Sequence, residues 1–160
     1  MKKTVIIVTF LLINTVSVFG QDCNFSVNKT DKFTKKQVLK TKTIRLATMT
    51  YGVHLRMSLN NNGDAKFISA EFPEKIGCAS YDSYLIIQLE NEEQIQITNS
   101  GGVDCSSRPA ILCRIDEVYI KLLMESPISA IRLHTSKHTV DSRKINNSNY
   151  FIENLKCLDY

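Results

Sequence analysis

Five cysteines are the side chains with the clearest potential for chemistry in this 160-residue sequence. Thiols pair in oxidising compartments, and an odd number leaves one unpaired. Five choices of the spare thiol and three connectivities of the other four give fifteen sets of pairs. The spacing favours Cys23–Cys157, which ties the two ends, and Cys105–Cys113, which closes a short loop. We therefore expect Cys78 to be a buried and unreactive free thiol.

Two of the three histidines, His134 and His138, have the i, i+4 spacing that places metal ligands on one face of a helix. The surrounding pattern is that of a strand and a loop. On a strand, four residues at ~3.3 Å each separate the two side chains by about 13 Å, too far to share an ion. No CxxC motif offers zinc another site, and His54 is expected on a strand surface. We therefore expect no metal ion.

The segment from Asn60 to Glu71 has several oxygen ligands of a calcium-binding loop, including Asn62 and Asp64. The sixth position, where such a loop needs glycine, is Ala65, and the first is asparagine rather than aspartate. Its flanks alternate with the period of a strand. The segment is therefore predicted to be a β-hairpin rather than a calcium site.

Motifs for nucleophilic catalysis are missing from the sequence, which has no G-x-S-x-G, no H-E-x-x-H and no glycine-rich phosphate loop. The carboxylates of Glu90, Glu92 and Glu93 cluster in a predicted turn, where solvent is their ordinary environment. Two distant carboxylates could still meet in a cleft, as in glycosidases. We expect no catalytic residue and no cofactor.

The first twenty residues have the organisation of a secretory signal peptide. A basic start, Met1–Lys3, precedes an apolar stretch from 5 to 18, and small residues before Gln21 predict cleavage after Gly20. The stretch is shorter than the about 20 residues that a membrane helix needs, and a retained anchor is the alternative. The predicted mature chain is one secreted or periplasmic domain, 21–160, without a stable membrane span.

The charge of the predicted mature chain is close to balanced. Removing Lys2 and Lys3 leaves 18 of the 20 basic side chains against 16 acidic ones, which lowers the formal net charge from +4 to +2. That balance does not indicate a nucleic-acid partner.

Six segments alternate between apolar and polar residues with the period of two that predicts half-buried strands. These are 43–49, 53–59, 65–72, 83–89, 94–98 and 128–135. Beyond the cysteine loop, a helical period indicates a helix that buries one face: Ile115, Val118, Tyr119, Leu122 and Leu123. A last helix is predicted after Asn146. The expected fold is α+β: an antiparallel sheet of about six strands, curled toward a sandwich, with two helices near the C-terminus.

A lysine-rich segment, 29–42, holds six lysines and one acidic residue, Asp31. It is either a patch for an anionic surface or partner, or a solvated edge that lysines protect from strand pairing. The expected partner surface combines these lysines with outward arginines of the strands: Lys29, Lys32, Lys35, Lys36, Arg56 and Arg132.

Four short motifs are scattered along the predicted mature chain: Asp31-Lys32-Phe33-Thr34, Ile131-Arg132-Leu133, Tyr150-Phe151 and Lys156-Cys157-Leu158. Together with the Gly-Gln cleavage site, they resemble a group of small exported bacterial proteins without assigned function. The resemblance implies a secreted, sheet-dominated α+β domain and no catalytic residues.

An export signal without a catalytic constellation predicts a non-catalytic binding or envelope-associated protein whose partner is a protein or an envelope component. The alternatives are a small secreted hydrolase, an inhibitor of such a hydrolase, and a structural component of the envelope. A pocket with converging acidic and histidine side chains would favour the hydrolase. A protruding disulfide loop around Cys105 would favour the inhibitor.

Overall fold

The computed structural model describes residues 23–159, so the predicted signal peptide and its cleavage site lie outside the described residues. The strands are β1 (Phe25–Thr30), β2 (Gln37–Thr41), β3 (Ile44–Met49), β4 (His54–Asn61), β5 (Lys66–Glu71), β6 (Tyr84–Leu89), β7 (Gln94–Thr98), β8 (Ala110–Ile115), β9 (Ile128–His134) and β10 (Thr139–Ile145). The helices are α1 (Glu117–Glu125) and α2 (Tyr150–Asn154). Short 3-10 turns cover Thr50–Gly52, Glu74–Ile76 and Leu155–Asp159.

The strands pair antiparallel in one sheet, whose main path is β8–β5–β4–β3–β10–β9–β6–β7. The β1–β2 hairpin joins this path where β2 pairs with the end of β4. The sheet curls so that its two ends meet. At that point the Ser100 N–H, just after β7, donates to the Leu112 carbonyl of β8 at 2.8 Å. The curl encloses the apolar side chains of the strands.

The core forms inside this curl because one face of each long strand is apolar. In β4, for example, Leu55, Met57 and Leu59 are fully buried, as their alternation predicts. The two helices contact each other and add further apolar side chains to the same core, among them Leu123 and Phe151. Burial of this apolar surface is the main favourable contribution to the fold.

Helix α1 begins later than its sequence pattern predicts. Ile115 belongs to β8, and the carboxylate of Asp116 caps the helix by accepting from the Tyr119 N–H at 3.0 Å. This start turns Ile120 toward the core and leaves Val118 in solvent, so the predicted buried face is wrong at Val118.

The prediction of an antiparallel sheet is confirmed, but the count of about six strands is too low. Of the four missed strands, β1 lies mostly before the lysine-rich segment and β2 within it, β8 overlaps the end of the cysteine loop, and β10 lies in an ambiguous stretch after β9. β10, for instance, buries only Val140, so apolar alternation could not reveal it. The strands form one continuous curled sheet rather than a sandwich of two sheets, and of the two helices only α2 lies near the C-terminus.

The predicted Cys23–Cys157 bridge is present, and it ties the segment before β1 to the turn after α2. The predicted Cys105–Cys113 bridge is wrong. An isolated antiparallel bridge between Ala79 and Asp104 places Cys78 beside Cys105, and these two form the second disulfide. Cys113 is instead the free thiol, because its side chain points inward from β8 into the core.

Candidate anion-binding site

An open groove of about 570 Å³ with a positively charged lining lies over the outer face of β3, β4 and β5. Four lining side chains carry a permanent positive charge, namely Arg45, Arg56, Lys75 and Arg108, against one carboxylate. That carboxylate belongs to Glu71. We refer to this site as the cationic groove.

The floor of the cationic groove is set by strand register. Arg45 of β3 lies directly opposite Arg56 of β4, so both side chains leave the same face of the sheet. Residues opposite each other on neighbouring antiparallel strands have Cβ atoms roughly 5 Å apart, and like charges at that spacing are destabilising. The register therefore places two positively charged residues opposite each other on neighbouring strands, at a cost in stability.

Glu71 compensates only part of this charge. It lies opposite Arg56 on β5, and its Oε2 is 4.0 Å from the Arg56 Nε, the outer limit for an ion pair. Within residues 23–159, Arg45, Lys75 and Arg108 form no ion pair. Most of the positive charge of the cationic groove is thus available to a ligand.

The walls of the cationic groove come from two segments that the second disulfide links. Lys75 lies in the 3-10 turn after β5, and Arg108 lies in the loop before β8. The Phe72 N–H donates to the Pro109 carbonyl at 3.0 Å, which joins the two walls at their base. The Cys78–Cys105 disulfide joins them a second time, three residues after Lys75 and three residues before Arg108.

The disulfide loop itself is held by one carboxylate. The two oxygens of Asp104 accept from the Ser106 and Ala110 N–H groups, both at 2.9 Å. These backbone hydrogen bonds lower the pKa of Asp104 from its ordinary value, and the bond from Ser106 has the larger effect on the pKa. The hydrogen bonds fix the course of the loop that presents Arg108.

The rim of the cationic groove carries the strained turn between β3 and β4. Tyr51 has a φ of 60°, in the left-handed region that costs a non-glycine residue about 1 kcal/mol or more. Its ring is exposed and lies 6.1 Å from the ring of His138, measured between centroids. His54, two positions from Arg56 on the same strand, lines the groove and has its Nδ1 3.4 Å from the Thr48 hydroxyl.

The predicted partner surface is not brought together as one patch. Arg56 lies in the cationic groove, whereas Arg132 is on β9 and makes a bidentate ion pair with Asp141 at 2.6 and 2.9 Å. Lys29, Lys32, Lys35 and Lys36 belong to the β1–β2 hairpin, and Lys36 pairs with Asp64. The structure therefore divides these residues among three separate places.

The histidines and the calcium-like segment have structural partners instead. The His134 ring stacks on Tyr84 with centroids 4.7 Å apart and shares a 2.8 Å hydrogen bond with the Thr139 hydroxyl. The segment from 60 to 71 forms the β4–β5 hairpin, as predicted. Residues 23–159 contain no cluster of three or more His, Cys, Asp or Glu side chains that could hold a metal ion.

The free thiol of Cys113 is buried between the strands, 3.7 Å from the Ile97 carbonyl oxygen. Burial raises its pKa to about 12. Because the thiolate is the reactive form, this cysteine is chemically inert in the folded protein.

Sequence reasoning missed Arg45, Lys75 and Arg108 as members of one site. Arg45 had the clearest signal, since it follows Ile44 in a predicted strand and faces outward. Lys75 and Arg108 lie in irregular segments 33 residues apart, which the pairing of β5 with β8 and the Cys78–Cys105 disulfide bring together.

Comparisons with known proteins return no match: no family model, curated protein or solved structure is similar to this chain. Among the described residues, no helix is both long and apolar enough to cross a lipid bilayer. The two disulfides suggest an oxidising, extracellular setting.

Proposed function

We propose that this protein is an exported, non-catalytic binding protein that holds an anionic group of an envelope component or protein partner in the cationic groove. The observation that carries the proposal is the direct opposition of Arg45 and Arg56 across β3 and β4, with only Glu71 to offset them. An arrangement that costs stability in the free protein becomes favourable when an anion lies between the two guanidinium groups.

The chemistry of the lining supports an anion bearing several oxygens. Guanidinium groups bind carboxylates and phosphates through two parallel hydrogen bonds, which adds both affinity and geometric specificity. Lys75 and Arg108 face the same space from the walls and supply further positive charge. The preferred ligand class is therefore a phosphate or a polycarboxylate rather than a neutral molecule.

The same lining supports binding over hydrolysis. A retaining or inverting glycosidase needs two carboxyl groups on either side of the bond that it cleaves. The cationic groove has one carboxylate, Glu71, and that group is already beside Arg56. Export and the single mature domain 21–160 remain part of this proposal, and the two disulfides support them.

The experiment is an NMR titration of residues 21–160 with inorganic pyrophosphate at constant ionic strength. Amide shifts should concentrate on β3, β4 and the loop before β8. Arg45→Gln and Arg56→Gln should each weaken binding by about tenfold, as expected for loss of a charge-assisted hydrogen bond. Arg143→Gln removes the same charge from an exposed position on β10 and should leave the affinity unchanged.

Pyrophosphate shifts spread evenly over the surface would contradict the proposal. So would equal weakening by Arg143→Gln and Arg45→Gln, because that result would reflect net charge rather than a site.

A further inference from the structure

The β1–β2 hairpin carries the most exposed apolar side chain that the structure describes. Phe33, in the connection between the two strands, is 94% exposed. Burying such a ring removes a large apolar surface from water, so leaving it in solvent is unfavourable. The ring is therefore available for contact with a partner.

The connection is ordered in a way that holds Phe33 outward. Asp31 Oδ1 accepts from the N–H groups of Phe33 and Thr34, at 3.0 and 2.7 Å, and from the Thr34 hydroxyl at 3.0 Å. The backbone bond to Thr34 is the largest cause of the lowered pKa of Asp31. A turn fixed by its own side chain presents the ring without further ordering on binding.

Several lysines lie close to Phe33 in the sequence. Lys32 and Lys35 flank it in the connection, and Lys29 lies near the end of β1. All three are exposed, and none forms an ion pair with a described residue. The single acidic group, Asp31, is engaged with the backbone of the turn. We call residues 29–36 the hairpin tip.

The hairpin tip meets the rest of the sheet at its base. β1 pairs only with β2, and β2 pairs with β4 only through Leu39 and Lys40, at the opposite end of the hairpin. Lys36 rests on Gly63 and pairs with Asp64, which supports the base of the tip. The tip is therefore a convex projection with one ring at its end.

We propose that the hairpin tip docks on an anionic lipid surface, with Phe33 entering the interfacial region and Lys29, Lys32 and Lys35 contacting headgroups. A stable protein–protein interface needs about 1,200 Å² or more of buried surface, contributed by roughly 20 or more residues on each side. The tip has far fewer residues. A lipid surface accepts a projecting turn with one exposed aromatic ring and several exposed lysines, and its negative potential complements their charge.

The first test measures binding of residues 21–160, which include every described residue, to vesicles by co-sedimentation. Vesicles of phosphatidylcholine alone are compared with vesicles that also contain phosphatidylglycerol. Binding should require phosphatidylglycerol and weaken at high salt, because screening shortens the reach of the lysine charges. Each lysine is worth about fivefold in partitioning, so Lys29→Gln, Lys32→Gln and Lys35→Gln together should lower it roughly a hundredfold.

A matched variant separates the hairpin tip from net charge. Lys121→Gln, Lys137→Gln and Lys144→Gln remove the same charge from exposed positions elsewhere and should change partitioning little. Equal losses in the two triple variants would overturn the proposal. A loss confined to Arg45→Gln and Arg56→Gln would also overturn it, while supporting the anion-binding groove.

The second test uses the ring. Phe33→Ala should lower partitioning by about tenfold, whereas Tyr81→Ala, at another exposed aromatic residue, should not. The chain has no tryptophan, so Phe33→Trp introduces a single fluorophore at the tip. Its emission should shift to the blue when phosphatidylglycerol vesicles are added. An unshifted emission would overturn the proposal, and would leave a protein as the partner of the tip.

Discussion

Two pairs of neighbouring strands in this sheet carry arginines on their outer faces, and the residues opposite those arginines have opposite charges. On β9 and β10, Arg132 lies directly opposite Asp141, and the two side chains form a bidentate ion pair. On β3 and β4, Arg45 lies directly opposite Arg56. The first arginine is neutralised by its cross-strand neighbour, and the second faces a like charge.

The difference bears first on the stability of the sheet. A cross-strand pair of opposite charge contributes to the sheet, and a pair of like charge opposes it. The β9–β10 pair shows that this sheet readily accommodates a carboxylate opposite an arginine on its outer face. On β3 and β4, the residue opposite the arginine is a second arginine instead of a carboxylate. The walls of the cationic groove add Lys75 and Arg108, so positive charge is concentrated where an external anion can enter.

The largest expected effect on stability comes from removing the disulfides. The two bridges also differ in position, since one of them, Cys78–Cys105, links the walls of the cationic groove. In the chain-entropy account, closing the 134-residue separation of Cys23–Cys157 is worth about 5 kcal/mol, and the 27-residue separation of Cys78–Cys105 about 3.5 kcal/mol. Double serine variants should lose these free energies of unfolding in urea denaturation. The Cys78/Cys105 variant alone should also bind pyrophosphate more weakly, because the wall that carries Arg108 is released.

The Cys23/Cys157 variant is the control for that binding effect, since its bridge lies away from the cationic groove. If both variants kept full affinity for pyrophosphate under conditions where they remain folded, the walls would not contribute to the site. Arg45 and Arg56 alone would then define it.

Arg45→Glu converts the groove pair into a copy of the β9–β10 pair. The free energy of unfolding should rise by about 0.5 kcal/mol, because a repulsive cross-strand pair becomes an attractive one. Pyrophosphate affinity should fall by roughly a hundredfold, because a carboxylate now faces the anion. A variant that is both less stable and unaltered in binding would show that the opposed arginines serve the fold rather than a ligand.

The part of the fold that the sequence predicted is the part with strict alternation. In β7, for example, the buried residues occupy every second position, so one face had to be covered whatever the topology. β1 and β10 carry mostly exposed side chains, and they are strands because of the partners they meet rather than their own pattern. Strands of this kind are set by tertiary pairing.

The second disulfide and the cationic groove escaped prediction for the same physical reason. Nearness in sequence favoured Cys105–Cys113, but alternation in β8 turns Cys113 into the core, and the bridge between Ala79 and Asp104 brings Cys78 in from a distant loop. Likewise, Arg56 was identified as an outward arginine, but its neighbours depend on register and on the β5–β8 pairing. The alternation within one strand shows that a side chain faces outward, but which other side chains lie beside it depends on how the strands pair.

The smallest expected effect concerns the neutralised pair. The hydrogen bond and charge of Arg132 lower the pKa of Asp141 below its ordinary 3.8, so the ionised carboxylate favours the folded state. Its contribution is present above the pKa of the unfolded chain and is lost as the pH falls through the lower folded value. Both side chains are about half exposed, so the gain in stability is small and screened by salt.

An NMR titration of the Asp141 carboxyl carbon reports this pair directly. In Arg132→Gln the pKa of Asp141 should return toward its ordinary value, whereas Arg114→Gln, which removes an arginine from a different part of the sheet, should leave it low. An unchanged pKa in Arg132→Gln would mean that the ion pair does not hold in solution. The β9–β10 arginine would then be as uncompensated as those of the groove, and the contrast that assigns a ligand to β3 and β4 would disappear.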